Sequence, residues 1–165
     1  MESLFIRLAE ALAVCEIGQK IRLTAAIAAD WQAGQLDWRD SSPVTLVCGR
    51  PAKPELLPHK DVPNRSPVTP EGRARLLHAI VHIEFTAINL ALDHAARFRG
   101  LPEAYYADWI GVAAEEAEHF ELLRTRLQSL GYDYGDFPAH AGLWDMAEKT
   151  TDDALVRMAL VPRLL

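Results

Sequence analysis

Apolar side chains recur at helical spacing from the start of the chain. Leu4, Leu8 and Leu12 lie one turn apart, and Cys15 continues the stripe. Alanine and leucine dominate residues 3–33 and no proline interrupts them, so helix is predicted there, with Gly18 as a point of division and Gly34 as the stop. The pattern then changes. Seven of the ten prolines fall between Asp37 and Pro70, a density that blocks both helix interior and central strand. An extended loop wrapping the domain is expected, of a length that calls for a function or for disorder. Helical periodicity returns from Glu71 to Phe98, closed by Gly100, and again from Pro102 to Leu130, closed by Gly131. The short connection predicts an antiparallel hairpin. Residues 131–142 read as loop, Leu143–Glu148 as a short helix, and Thr151-Asp152-Asp153 as the start of another ending near Val161. No strand-like alternation or fixed-period repeat appears. The prediction is an all-α bundle in one domain, 1–165: an N-terminal helical segment 1–34, a proline-rich loop 35–70, a hairpin 71–130, and a loop with the start of a further helix 131–165.

Composition narrows the class. At 165 residues, half apolar and 24% charged, the chain can bury one ordinary core. Seventeen basic against 23 acidic residues give a net charge of −6, which speaks against a dedicated nucleic-acid surface. Two cysteines are too few for a disulfide scaffold. No uncharged apolar run reaches membrane-spanning length and the N-terminus lacks the marks of a signal peptide, so a cytoplasmic protein with no membrane partner is expected.

The placement of acids on the two long helices carries the chemistry. With about 100° per residue, Leu77, Ile80, Val81, Ala87, Ile88, Ala91, Ala95 and Phe98 fall within roughly 60° of Glu84. Around Glu116 the same arc holds Tyr105, Trp109, Val112, Ala113, Phe120, Leu123, Leu127, Leu130 and His119, whereas Glu118 and Glu121 point away. Each helix is thus expected to place a carboxylate in its apolar stripe, where a charge costs several kcal/mol unless paired or metal-bound. One Glu from one helix and Glu-x-x-His from its neighbour form half of a di-metal carboxylate site. Imidazole with carboxylates suits iron, manganese or zinc.

Plainer readings compete. Glu-x-x-His is common on solvated helix faces, and a buried neutral Glu paired with His119 or an Arg needs no metal. His78 and His82 share a face with Arg75, Asn89 and Asp93, far from Glu84, and read as packing against the proline-rich segment or supporting the ligands from behind. Glu115 and His140 are secondary candidates; His140 sits in an aromatic loop and can line a pocket or cap a helix. His59 and His94 are expected at the surface, and Tyr105, Tyr106, Trp109 and Trp144 in the core. Cys15 reads as buried filler, Cys48 as a loop thiol.

These residues carry a family resemblance. His78-Ala79-Ile80-Val81-His82-Ile83-Glu84, Tyr106-Ala107-Asp108-Trp109 and Glu115-Glu116-Ala117-Glu118-His119-Phe120 resemble the ferritin-like family called domain-of-unknown-function family 455. Gly49-Arg50-Pro51, Val62-Pro63-Asn64-Arg65-Ser66, Gly131-Tyr132-Asp133-Tyr134-Gly135-Asp136, Ala139-His140-Ala141-Gly142-Leu143-Trp144 and Arg157-Met158-Ala159-Leu160-Val161-Pro162-Arg163 agree as well. The resemblance implies a ferritin-like four-helix bundle with Glu84, Glu116 and His119 as metal ligands, and no particular reaction. It also implies a second Glu and Glu-x-x-His beyond Val161-Pro162-Arg163, where this sequence ends at Leu165. Two expectations follow: a truncated member with a weak or absent site, or a homodimer in which a second hairpin supplies the other half.

Three functions fit this reading. The first is a di-iron or manganese oxidoreductase acting on an unknown small molecule. The second is a non-catalytic bundle with an assembly role, and the third is iron storage or detoxification. Neither a nucleophile elbow nor a phosphate loop occurs.

Overall fold

The computed structural model describes residues 1–63 and 66–161. Asn64-Arg65 and Pro162-Arg163 of the family motifs lie outside the described residues. Six α-helices make up the described chain: α1 (Leu4–Ala13), α2 (Ile17–Gln32), α3 (Pro70–Arg97), α4 (Glu103–Ser129), α5 (Gly142–Glu148) and α6 (Ala154–Leu160). The protein is an all-α helical bundle.

Leu4, Leu8 and Leu12 are buried as their spacing predicts. The division between the first two helices comes before Gly18. The backbone is extended at Val14 and Glu16, and the Glu16 carboxylate caps α2 by accepting from the N–H groups of Gly18 and Gln19. Cys15 therefore falls in the link and is exposed, not buried. Lys20 fills the gap beneath. It is fully buried, and its Nζ donates to the carbonyls of Ala11 (3.0 Å) and Leu12 (2.7 Å), which the end of α1 leaves without helical partners. Burial lowers this ammonium to about 8. A short parallel pair, β1 (Glu2–Ser3) with β2 (Leu36–Asp37), ties the N-terminus to the chain leaving α2. Two residues per strand are too few to show any alternation, so the sequence reading found no strand.

Among the described residues of the proline-rich segment, one turn of 3-10 helix at His59–Asp61 is the only helix before α3. Backbone hydrogen bonds hold this segment to the bundle. Gly49 N–H donates to Leu12 C=O at 2.9 Å, and across the Leu56–Ala139 bridge Leu57 N–H donates to Ala139 C=O while Ala139 N–H donates to Glu55 C=O. Any Cβ on Gly49 would collide with the Ala13 carbonyl oxygen. Gly49→Ala is therefore expected to cost about 1–3 kcal/mol, read as a lower midpoint in urea with an unchanged slope.

Helices α3 and α4 form the hairpin. Thr69 Oγ1 accepts from Gly72 N–H and Pro70 occupies the first turn of α3, while Gly100 turns the chain at φ 71°. The antiparallel run is visible in its ring contacts: Phe85 meets Phe120 (5.6 Å between centroids) and His94 stacks on Trp109 (3.9 Å). Among the described helices α3 alone is long and apolar enough to cross a membrane by length and composition, with mean hydropathy 1.3 over 18 residues, and 56% of that window is buried inside the protein. It packs against α1, α4 and α5, as the central helix of a bundle does. Asp153, not Thr151, caps α6, accepting from Leu155 and Val156. An ion pair docks this helix: fully buried Arg157 bonds Asp93 of α3 together with the carbonyls of Ala147 and Thr150.

Candidate metal centre

Halfway along the hairpin, Glu84 of α3 faces Glu116 and His119 of α4. One donor atom from each lies within 4.8 Å of the others. The i, i+3 spacing sets Glu116 and His119 one turn apart on the same face, and Glu116 Oε2 lies 3.2 Å from His119 Nδ1. Burial, then a hydrogen bond to Glu116 and the charge of that carboxylate, pushes Glu84 up to about 7. His119 is raised by its bond to Glu116.

The sequence reading put Glu84 at the centre of a buried stripe, and here the structure differs. Val81, Ile88, Ala91 and Ala95 are buried, but Ile80 and Ile83 are exposed and Glu84 is half-buried. Glu116 is likewise partly covered, and His119 is exposed. The three groups stand at the open edge of the α3–α4 seam. The cause lies on the far side of α3, where polar residues are buried too. His78, Asn89 and Asp93 are each at most 2% exposed, because loop 131–142, the proline-rich segment and Arg157 cover them. Hydrophobic periodicity alone assigns such residues to solvent.

The remaining candidates divide cleanly. Glu115 is exposed and stands outside the cluster. His78 accepts from Gly135 N–H at 3.0 Å and stacks on Tyr134. His82 lies between the Tyr134 hydroxyl (2.9 Å) and His140 C=O (3.1 Å). Both histidines thus bond the loop after the hairpin, His82 also lines a cavity with Arg50 and Pro54 of the proline-rich segment, and neither reaches Glu84's cluster. His140 Nδ1 accepts from Gly142 N–H at the start of α5, and its ring meets His59. His94 is 2% exposed, contrary to the surface expectation, held between Trp109 and the Tyr105 hydroxyl. Tyr106 and Trp144 are in the core as expected, Tyr105 and Trp109 partly so. Cys48 is half-buried, and burial raises its thiol, which opposes reactivity. The Asp93–Arg157 pair escaped the sequence reading; its only trace was an acid within a polar stripe on an otherwise apolar helix.

Residues 13–165 match the family described as protein of unknown function, DUF455. The chain belongs to this family. It is also similar to a protein of Haemophilus influenzae described as uncharacterised, with 52% identity over 136 residues, covering 78% of this chain and 47% of the relative. The chain thus spans about half the length of that relative. No solved structure matches.

Proposed function

We propose that Glu84, Glu116 and His119 are one half of a carboxylate-rich metal centre in a ferritin-like, cytoplasmic metalloprotein of the oxidoreductase type. The convergence of the three donors on the open seam of the hairpin carries this reading. The donor chemistry fits. Two carboxylates and an imidazole suit iron or manganese, and the proton that Glu84 retains near neutrality stands where a cation's charge would relieve the repulsion.

When bound, such a metal pair supplies redox chemistry towards dioxygen. The chain's own part is narrower. Glu84 gives up its proton as the site loads, Glu116 is placed to reach both Glu84 and His119, and His119 offers a neutral nitrogen. Val81 and Phe120 back the site with apolar bulk that limits water on its inner side. The other half of the ligand set comes, in this proposal, from a second copy of the hairpin across a two-fold axis. Exposed Ile80 and Ile83 beside Glu84 are the apolar surface that such pairing would cover.

Elemental analysis joined to native mass tests this reading. Near one iron or manganese per chain in a dimer is the expected result. A monomer without transition metal after reconstitution would overturn it.

A further inference from the structure

A cavity of about 350 Å³ lies on the side of α3 away from the carboxylates. Asn89 lines it, five residues and roughly 140° around the helix from Glu84. The proline-rich segment, α3, the loop after the hairpin and α5 meet here. Their contributions are Arg50 and Pro54, Phe85 and Asn89, Tyr134, and Trp144. The volume is at the small end for ligand cavities, and a mostly apolar wall with a few polar groups is the usual composition of a small-molecule site.

Most polar atoms in the wall are committed. Both His82 nitrogens are engaged, the Thr86 hydroxyl donates to His82 C=O, and Trp144 Nε1–H donates to Glu148. Two groups remain. Asn89 is 2% exposed and its Nδ2 donates to Phe85 C=O at 3.3 Å. That neighbour accepts only, which fixes the orientation of the amide and leaves Oδ1 buried with no partner among the described residues. A buried carbonyl oxygen without a donor costs about 1–3 kcal/mol. The second group is Arg50. Its guanidinium lies 5.6 Å from the centre of the Trp144 ring. Among the described residues no carboxylate pairs with it. Glu55, on the same wall, is exposed to water.

The geometry points to a binding site for a small aromatic carboxylic acid that also carries an N–H or O–H donor. The ring packs among Phe85, Tyr134 and Trp144, the carboxylate meets Arg50, and the donor satisfies Asn89 Oδ1. A cation already lying against an aromatic ring keeps its fork free for an anion. Each feature of the ligand thus answers a group in the wall. Nothing in this assignment depends on the metal centre.

Calorimetric titration of the full chain with the three aminobenzoate isomers tests it, with benzoate and 4-aminobenzamide as controls lacking the donor and the charge respectively. Saturable one-to-one binding of at least one aminobenzoate is expected. Benzoate and the amide should bind about ten-fold more weakly or worse. Arg50→Gln should erase the preference for the acid over the amide. Asn89→Leu, close in shape, should lose the donor preference while holding or raising Tm, because it removes an unpaired oxygen. The proposal is overturned if no aminobenzoate binds up to millimolar concentration, if acid and amide bind alike, or if both variants bind as the native protein does. A Tm several degrees lower in Asn89→Leu would also overturn it, since Asn89 would then be a structural residue.

Discussion

Asp93→Ala should lose about 3–5 kcal/mol of stability, the largest single-residue effect expected in this protein. Asp93 is 1% exposed, as is Arg157, which bonds it from α6, while Arg97 holds the other oxygen at 2.7 Å. Burial draws the Asp93 carboxyl upward, but the hydrogen bonds and charges of the two arginines outweigh it and hold the group below its ordinary value. Truncating the acid leaves the Arg157 guanidinium buried with neutral partners alone, the carbonyls of Thr150 and Ala147, the Thr150 hydroxyl and the Phe98 ring. At roughly 2–4 °C per kcal/mol for a domain of this size, Tm should drop by about 6–20 °C. Replacing both buried partners, as Asp93→Leu with Arg157→Met, should recover most of the loss, because the one arginine then left without Asp93, Arg97, is part-exposed and reaches water. A single variant within about 1 kcal/mol of the native protein, by urea unfolding, would show that the pair is not what docks α6.

The second large effect is a loss of stability in weak acid. Burial above all holds His82 down at about 4 and His94 at about 3, against about 6.5 in an unfolded chain. Below 6.5 the unfolded chain takes up these protons and the folded one refuses them. The contribution of the two neutral imidazoles is therefore complete above pH 6.5 and lost progressively as pH falls through 4 and then 3. The amount is about 3 kcal/mol for His82 and somewhat more for His94. Glu84 acts in the opposite sense. Its raised value favours the fold below 4.5 and disfavours it as pH climbs through 7. Asp133 enters only in stronger acid. The Arg124 guanidinium bonded to it holds it down at about 2, so its share is lost below about 3.8. Unfolding free energies from pH 7.5 to 4 should fall steeply, and His94→Phe should flatten the slope. Equal slopes in the variant and the native protein would show that His94 does not titrate with unfolding.

Much of the fold was legible in the sequence because its signals are local. The hairpin's start at Pro70 and its turn at Gly100 follow from proline's fixed φ and glycine's access to positive φ. The link at Val14–Glu16 was misplaced because Glu16 caps through its side chain, whereas Gly18 merely looks like a breaker. The trio Glu84, Glu116 and His119 was found by angular arithmetic on two helices, and the structure brings those three together. Their exposure was misjudged, since α3 is covered on its polar side by chain distant in sequence, the proline-rich segment, the loop after the hairpin and Arg157. Long-range partners such as Gly135 for His78 and Arg157 for Asp93 leave no mark on periodicity. The cavity beside Asn89 was invisible for the same reason, because its walls come from four separate segments.

Titration calorimetry of the purified protein with manganese(II) at pH 7 bears most directly on the role of the seam. Native protein should take up metal saturably and release a proton in doing so, as Glu84 ionises, while Glu84→Gln and His119→Ala should each lose that uptake. Manganese heats that are absent from the native protein, or unchanged in both variants, would contradict it.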